Sequence, residues 1–347
     1  MRVLVVLPGY LGDTVFLGPA VRALRARFPS GAVGLCVTPR GAPVARLLPG
    51  CDEVVVYDKR QADRGLLGFL RVTRKLKAFA PEVALVPHAS PRSGLMAFFS
   101  GAVRRVGFAP FCNERVTLDR AVPFVERTLA LARHVGAVGD TSLALTPVKG
   151  AEAYLERVLA GAQRPLVGII PGAEWATKRW PVEHYADLVR RLARLGASSV
   201  VLGGPSERGL ALALRERAGE GVVDTTGNSI EEALAVLGRC DLVVGGDTGL
   251  VHCARALGRP ALVLFGPTDP ARHLMGPHDR PVTLGLSCQP CHDHGPRRCP
   301  LGHHHCMQRL DPEQVAKQVR ALLDARGARD YGPPGRTQLA APSTEPS

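Results

Sequence analysis

The chain has 347 residues, of which 46% are hydrophobic and 22% are charged. This length predicts two domains, and the composition excludes a fibrous or largely disordered protein. The net charge of +13 lies mostly in residues 1–150, where 21 Lys and Arg face 10 Asp and Glu; this favours an anionic partner, unless the excess is simply an arginine-rich composition.

No secretory signal or membrane-spanning segment is predicted. The opening apolar run, Val3–Leu7, is short, and no stretch approaches the roughly 18 to 20 apolar residues that a transmembrane helix needs. We therefore expect a cytoplasmic protein.

Short apolar strands alternate with helices in the first half of the chain. A helix is predicted at Thr14–Phe28, ended by Pro29, and strands at Val3–Leu7, Val33–Val37, Glu53–Tyr57 and Val83–Val86. Such strands, separated by helices, predict a buried parallel sheet.

The pattern restarts after Pro165. The predicted strands are 166–170, 199–202, 242–244 and 261–265, and the helices are 182–195 and 312–325. We expect an α/β fold with two Rossmann-like, doubly wound domains, at 1–155 and 156–326. The tail, 327–347, is rich in Gly, Pro, Ser and Thr, and we expect it to be disordered.

Ligands of such sheets bind at the carboxyl ends of strands, so the loops there are candidate sites. The first loop brings Asp13 to the start of a helix, where it is either a functional carboxylate or a helix cap. In the loop after the first strand of the second half, Thr177 and Lys178 precede a helix, which suits a diphosphate. The alternative is a basic surface loop with a packed Trp180.

Two further loops carry polar groups. Glu207 follows two glycines and either accepts hydrogen bonds from a ribose or simply starts a helix. Asp247, Thr248 and Gly249 open a helix that carries His252, and its dipole would stabilise charge on a departing phosphate. The next loop, 265–270, can cover the nucleotide.

A segment rich in cysteine and histidine, 288–306, has a spacing typical of metal ligands. A cytosolic location disfavours disulfides, so one hypothesis is a structural zinc site, and the other is a loop that binds nothing. The candidate ligands are Cys288, Cys291, Cys299 and Cys306.

The stretch Arg64–Phe79 mixes leucines and aromatic residues with Arg and Lys. A basic amphipathic helix can lie on an anionic membrane surface, although a helix packed on a sheet explains the pattern at least as well.

In this order, the motifs resemble glycosyltransferase family 9, the ADP-heptose–lipopolysaccharide heptosyltransferases, over about residues 1–325. The Cys/His segment is most like that of the subgroup that adds the second heptose. The resemblance rests on Gly12-Asp13, on 171–181 with Lys178-x-Trp180-Pro181, on Glu207 after two glycines, on Asp247-Thr248-Gly249-x-x-His252 and on Phe265-Gly266-Pro267-Thr268.

The resemblance implies a GT-B architecture, with the acceptor on the first domain, beside Gly9 and Gly12, and the ADP-sugar on the second. It also implies that the final helix crosses back to the first domain, and that the protein contacts the cytoplasmic face of the inner membrane. The donor-binding residues it implies are Thr177, Lys178, Glu207, Asp247, Thr248, Gly249 and His252.

The implied reaction is an inverting transfer of heptose from ADP-L-glycero-D-manno-heptose to an anionic lipid-linked saccharide of the lipopolysaccharide inner core. Asp13 would be the general base, and Lys178 would stabilise the departing ADP without a catalytic metal. The alternatives are another heptose acceptor or sugar donor and, more distantly, a non-catalytic nucleotide- or nucleic-acid-binding protein. With aromatic residues at 5%, stacking platforms for nucleic acid are not expected.

Overall fold

The computed structural model describes residues 1–117, 121–219 and 221–327. Its strands form two six-stranded sheets in which every pairing is parallel. The first sheet contains β1 (Arg2–Val6), β2 (Ala32–Val37), β3 (Glu53–Val56), β4 (Val83–Val86), β5 (Arg104–Gly107) and β6 (Glu114–Arg115). The second contains β7 (Leu166–Ile170), β8 (Ser198–Val201), β9 (Val222–Asp224), β10 (Leu242–Gly246), β11 (Ala261–Leu264) and β12 (Arg280–Val282).

Helices connect the strands in both halves, as the α/β prediction requires. In the first half they are α1 (Leu11–Phe16), α2 (Gly18–Arg27), α3 (Ala42–Leu47), α4 (Gly65–Ala78), α5 (Pro91–Phe99) and α6 (Phe124–His134). In the second they are α7 (Glu152–Val158), α8 (Val182–Arg194), α9 (Arg208–Ala218), α10 (Ile230–Leu237), α11 (Gly249–Ala256), α12 (His305–Gln308) and α13 (Pro312–Gly327). Short 3-10 turns lie at Ala176–Lys178, Pro205–Glu207 and Pro270–His273.

The two sheets have the same strand order. It is β3-β2-β1-β4-β5-β6 in the first sheet and β9-β8-β7-β10-β11-β12 in the second. In each sheet the order reverses between the first and the fourth strand, and ligands of doubly wound sheets bind at that point, beyond the carboxyl ends. The loops after β1, β4, β7 and β10 are therefore where a site is expected. The fold prediction is confirmed.

The core is built from strands that are buried on both faces. Every residue of β7 is buried, as are the last four of β1. One continuous apolar cluster contains side chains from both halves, including Phe16 and Val251. The two sheets are thus joined by shared hydrophobic packing, which favours a fixed cleft.

The predicted helix over 14–28 is wrong in one respect, since it is divided into α1 and α2 at Leu17. Pro19 lies in the first turn of α2. Because proline lacks an amide hydrogen and its ring clashes with the carbonyl four residues earlier, a continuous helix cannot pass through it undisturbed. Strands β5, β6, β9 and β12 were not predicted, and each has at most four residues.

The final helix does not follow the expectation that it crosses back to the first domain. α13 packs on α8, where Nη1 of Arg191 lies 3.8 Å from a carboxylate oxygen of Glu313. Val315 and Val319 are buried with Tyr185 in the core of the second sheet. Their spacing of four residues gives α13 one apolar stripe, and that stripe is covered within its own half.

The predicted boundary between 155 and 156 falls inside α7, which packs against α10; the division into domains stays a prediction. The tail predicted to be disordered, 327–347, lies outside the described residues except for Gly327, where α13 ends. No helix within the described ranges is both long and apolar enough to cross a bilayer.

Candidate active site

Asp13 lies in α1, directly after the loop that follows β1. Its Oδ2 accepts a hydrogen bond from the backbone N–H of Tyr10 at 3.0 Å, so the carboxylate does cap this helix. Gly9 permits the close approach, since a Cβ at that position would lie 2.6 Å from Oδ2. Oδ1 has no hydrogen-bond partner among the described residues. Capping therefore fixes the carboxylate and leaves one oxygen for chemistry.

His88, which the sequence analysis missed, stands beside Asp13. It follows β4, the neighbour of β1 across the reversal of strand order, and its Nε2 lies 3.8 Å from Oδ2 of Asp13. Burial lowers the pKa of His88, and the charge of Asp13 opposes that effect only in part. His88 follows a strand that the sequence predicted, so its position could have identified it as a candidate site residue.

In the second half, the buried carboxylate of Asp247 is surrounded by donors. Oδ2 lies 2.6 Å from Nζ of Lys178, accepts the hydroxyl of Thr268 at 2.8 Å and lies 3.5 Å from Nε2 of His273. Oδ1 lies 3.0 Å from Nε2 of His252. Both oxygens are thus engaged, and Asp247 orients the lysine ammonium. The sequence analysis quoted Thr268 without this role and missed His273.

The charges of this cluster are set by burial and by each other. Burial alone would raise the pKa of Asp247, but the charge of His273, the hydrogen bonds from His252 and His273 and the ammonium of Lys178 together hold it well below its usual range. Burial lowers the pKa of His252 to about 4, against the opposing effect of Asp247. At neutral pH Asp247 is therefore a carboxylate and His252 is neutral.

A buried guanidinium extends the cluster. Nη1 of Arg255 lies 3.1 Å from Nδ1 of His252, Nε donates to Oδ2 of Asp279 at 2.7 Å, and Nη2 donates to the carbonyl of Leu274 at 2.8 Å. Arg255 was missed although it lies three residues after His252, on the same helical face. Asp279 comes from a distant loop, and no sequence pattern around it indicated that it belongs to the site.

The two halves touch where α1 meets α11. A Cβ at Gly249 would lie 2.8 Å from Cβ of Leu11, so only glycine permits this approach. A Cβ at Gly12 would lie 3.5 Å from Cδ2 of His252, which is ordinary contact. The ring of Phe16 lies 4.7 Å from that of His252. The start of α1 therefore lies against the start of α11.

That helix start is suited to an anion. Thr248 is the extended N-cap residue of α11, and the first N–H groups of a helix have no partner within it. Lys178 lies beside this end through its contact with Asp247. Free N–H groups, the helix dipole and a lysine cation together favour a phosphate.

Thr177 and Glu207 have local partners. The buried hydroxyl of Thr177 donates to the carbonyl of Pro296 at 2.6 Å, so it faces the Cys/His segment. Oε2 of Glu207 accepts from the N–H of Gly204 at 2.8 Å, which supports its role at a helix start. A Cβ at Gly172 would lie 2.3 Å from Cγ of Glu207, so this glutamate lies against the loop after β7.

The Cys/His segment reaches the cleft through His294. Burial lowers the pKa of His294, while Asp13 raises it and Lys178 lowers it further. The contact of Gly12 with His252 brings α1, which carries Asp13, to the helix start beside Lys178. A Cβ at Gly295 would lie 3.0 Å from Cε of Lys178, so the segment covers the lysine stem.

The described residues contain one group of at least three side chains whose metal-binding atoms all lie within 4.8 Å of one another, and it comprises Asp247, His252 and His273. Lys178 contacts the same carboxylate, so a metal would have to displace these hydrogen bonds. The sulfurs around a tetrahedral zinc lie about 3.8 Å apart at the usual Zn–S length. The four cysteines do not form a group that meets the 4.8 Å limit. Zinc at 288–306 stays a prediction.

The amides around Cys299 nevertheless favour a thiolate. Burial raises the pKa of this thiol, but hydrogen bonds from the backbone N–H groups of residues 301–304 lower it below its ordinary value. Burial and the neighbouring thiols raise the pKa of Cys306 to about 11.

Comparison with known proteins gives consistent matches. A family model described as glycosyltransferase family 9 (heptosyltransferase) matches residues 69–302. Lipopolysaccharide heptosyltransferase 2 of Salmonella typhimurium is 26% identical over 94% of this chain and 100% of its own length. A family 9 glycosyl transferase from Veillonella parvula superposes with a TM-score of 0.83 at 22% identity, covering 93% of this chain and 97% of that chain. The Escherichia coli ADP-heptose LPS heptosyltransferase II gives 0.78 at 23% identity, covering 94% and 100%.

Proposed function

Because the chain belongs to glycosyltransferase family 9, we propose that this glycosyltransferase moves heptose from ADP-L-glycero-D-manno-heptose onto the inner core of lipopolysaccharide. One observation carries the proposal: Asp13 follows the first strand of one sheet, Lys178 and Asp247 lie in the loops at the strand-order reversal of the other, and α1 touches α11 between them. A carboxylate facing a diphosphate site is what a displacement at a sugar carbon requires.

The acceptor is proposed to be heptosyl-Kdo2-lipid A, so that the second heptose is added. A relative named heptosyltransferase 2 aligns with almost the whole chain, which supports this choice. Such an acceptor is anionic, and the loop beside Gly9 is basic: Nζ of Lys59 donates to the carbonyl of Pro8 at 3.2 Å, and Arg60 and Arg92 are close enough to lower the pKa of Lys59 beyond the effect of burial.

The donor is proposed to lie on the second half. Lys178 and the first N–H groups of α11, at Thr248 and Gly249, would bind the diphosphate, and Glu207 would bind the ribose. Asp247 and His252 would hold Lys178 in place beside the sugar. As the bond to ADP breaks, negative charge grows on the diphosphate, and a fixed ammonium at a helix start stabilises it without reorganisation.

Asp13 is proposed to be the general base. Oδ1 would take the proton of the acceptor hydroxyl as that oxygen attacks the anomeric carbon from the face opposite ADP, which inverts the configuration. The bond from Oδ2 to the N–H of Tyr10 would keep the carboxylate aimed during the transfer. No metal is proposed for this step, since Lys178 supplies the positive charge.

The protein is proposed to act at the cytoplasmic face of the inner membrane, where its acceptor is anchored, and not on nucleic acid. A structural zinc ion at Cys288, Cys291, Cys299 and Cys306 remains a separate proposal, for which metal analysis of the purified protein is the test. Absence of a stoichiometric metal, or loss of metal with no effect on the free energy of unfolding, would contradict it.

The test of function is ADP release from ADP-heptose, with Kdo2-lipid A and with heptosyl-Kdo2-lipid A offered separately. Release only with the heptosylated acceptor is expected. Release with Kdo2-lipid A alone would indicate the first heptose, and release with neither would indicate another acceptor or donor. Binding of DNA that is tighter than binding of ADP and sensitive to salt would favour the nucleic-acid alternative instead.

A further inference from the structure

A group of large apolar side chains is exposed on α4, on α5 and on the two sides of β5. Such side chains usually avoid water when they form a continuous patch, so a group of them indicates a surface that meets something. They are Leu66 (72% exposed), Leu67 (84%), Phe98 (50%), Phe99 (46%), Val103 (75%) and Phe111 (49%). We refer to these six residues as the apolar surface.

Contacts link several members of the apolar surface. Leu66 lies one helical turn before Phe69, whose ring packs edge-on against Phe99 at 6.1 Å. The rings of Phe98 and Phe99 are 5.4 Å apart. The guanidinium of Arg105 lies 5.4 Å from the ring of Phe98.

The same arginine reaches two further members of the surface. Nε of Arg105 donates to the carbonyl of Phe111 at 3.0 Å, and Nη1 approaches the carbonyl of Val103 at 3.5 Å. Phe111 has a φ of +69°, a conformation that is uncommon for a residue with a side chain. The surrounding structure therefore holds the backbone of Phe111 in this conformation.

Positive charge surrounds this surface. Residues 59–115 contain 11 Lys and Arg against three Asp and Glu. Each acidic residue already has a cationic partner: Asp63 pairs with Arg71, Glu114 with Arg104, and Glu82 with the chain's amino terminus. The exposed cations of α4 include Arg74, Lys75 and Lys77, and Arg64 directly precedes this helix.

We propose that the apolar surface and these cations form a membrane-binding face that inserts into an anionic bilayer. Apolar side chains enter the interface between headgroups and acyl chains, while lysine and arginine contact anionic headgroups. A second copy of the chain is a poorer occupant, because two strongly basic faces would repel each other.

One end of the face, at Leu66 and Leu67, is close to the cleft. α4 begins at the carboxyl edge of the first sheet, the edge that also carries the Asp13 loop, and Lys59 joins the two by its bond to Pro8. Insertion would therefore bring the acceptor side of the cleft to the bilayer. This consequence rests on the proposed function, whereas bilayer binding itself does not.

The experiment is co-sedimentation of the full chain with vesicles that contain no saccharide acceptor. Vesicles of phosphatidylglycerol mixed with phosphatidylcholine are compared with phosphatidylcholine alone, at low and high salt. We expect binding to the anionic vesicles only, weakened by salt. No binding to them, or equal binding to neutral vesicles, overturns the proposal.

Two sets of variants locate the face. L66S/L67S should lose most of the binding, with L212S, an exposed leucine of α9, as the matched control. R74Q/K75Q/K77Q should weaken the partition about fivefold for each charge, with K317Q on α13 as the control. Equal effects of variants and controls overturn the proposal, as does a dimer of the wild type that L66S/L67S dissociates.

Activity separates this proposal from the proposed function. With a deacylated, water-soluble acceptor, L66S/L67S should turn over at the wild-type rate, because neither leucine lies in the cleft. Vesicle binding without any transfer to either acceptor would leave the face intact and contradict the function. Transfer without vesicle binding would support the proposed function and contradict the membrane-binding face.

Discussion

Nδ1 of His252 lies 3.1 Å from Nη1 of Arg255, and this contact fixes the proton of the imidazole. A guanidinium can only donate, so Nδ1 accepts and Nε2 carries the hydrogen that faces Asp247. Asp247 in turn holds Lys178. A residue remote from the cleft, Asp279, thereby determines how the candidate diphosphate site is arranged.

Replacing Arg255 by methionine should raise the pKa of His252, which burial now holds at about 4 with help from the charges of His273 and Arg255. The imidazole titration is followed by NMR on the folded protein. The double variant R255M/D279N also removes the carboxylate of Asp279, which R255M alone would leave buried without its cation. R255K is the control that keeps the positive charge. A titration in R255M/D279N that matches the wild type would contradict this assignment.

Asp13→Asn should lower kcat by about 10²- to 10⁴-fold, because the amide cannot accept the proton of the acceptor. Its side-chain oxygen can still accept from the N–H of Tyr10, so the helix cap is retained. Thermal denaturation and ADP affinity serve as controls, and both should stay near wild type. A kcat within a few-fold of wild type would exclude Asp13 as the base.

Lys178→Met should weaken ADP binding by about tenfold to a hundredfold, as expected for a charge-assisted hydrogen bond. The free energy of unfolding should fall by about 1.5 to 3 kcal/mol, because buried Asp247 loses its cation. Calorimetry and urea denaturation measure the two effects. Lys317→Met removes a lysine from an exposed pair with Glu313 and should leave the free energy of unfolding close to that of the wild type. Equal losses in both variants would contradict a special role for Lys178.

Stability should fall as the pH drops from about 6.5 to 4. His252 binds its proton less readily in the folded than in the unfolded protein, so acid favours the unfolded state over this window, by up to about 1.4 kcal/mol per pH unit. The depressed pKa of Asp247 acts in the same direction at lower pH. Urea denaturation at several pH values measures the slope. His252→Gln should reduce it, and an unchanged slope would show that other groups cause it.

Gly249→Ala should destabilise the protein by about 1 to 3 kcal/mol, because the new methyl group would overlap Leu11 at the contact between the halves. Gly12→Ala is the matched variant. Its methyl group would meet Cδ2 of His252 at an ordinary distance of 3.5 Å, so stability should be unchanged or slightly higher. Thermal denaturation compares the two, and similar losses would show that the contact tolerates no side chain on either helix.

The sequence predicted those site residues that follow long buried strands. Asp13, Lys178 and Asp247 all come after apolar runs with the pattern of parallel strands, and the carboxyl edge is where such sheets bind ligands. Edge strands such as β6 and β9, with two and three residues, carry too few side chains to show a period.

The remaining site residues depend on tertiary contacts. His273 and Asp279 lie in an irregular region, and only the folding of that region onto α11 brings them to Asp247 and Arg255. Thr177 looked like a ligand-facing residue, but its hydroxyl bonds to Pro296 because the Cys/His segment folds over it. The resemblance implied that α13 crosses to the first domain, and its apolar stripe could not correct this, because a stripe predicts burial without naming the partner.

The repetition of one strand order in both halves has a consequence for how the molecule works. Each half places loops at its own carboxyl edge, and in the proposed function the base, Asp13, lies in the first half and the diphosphate site at Lys178 in the second. If these roles are correct, catalysis requires both halves. Separate expression of either half is expected to give an inert polypeptide, and small changes in how the halves meet should alter turnover even when every reactive side chain is intact.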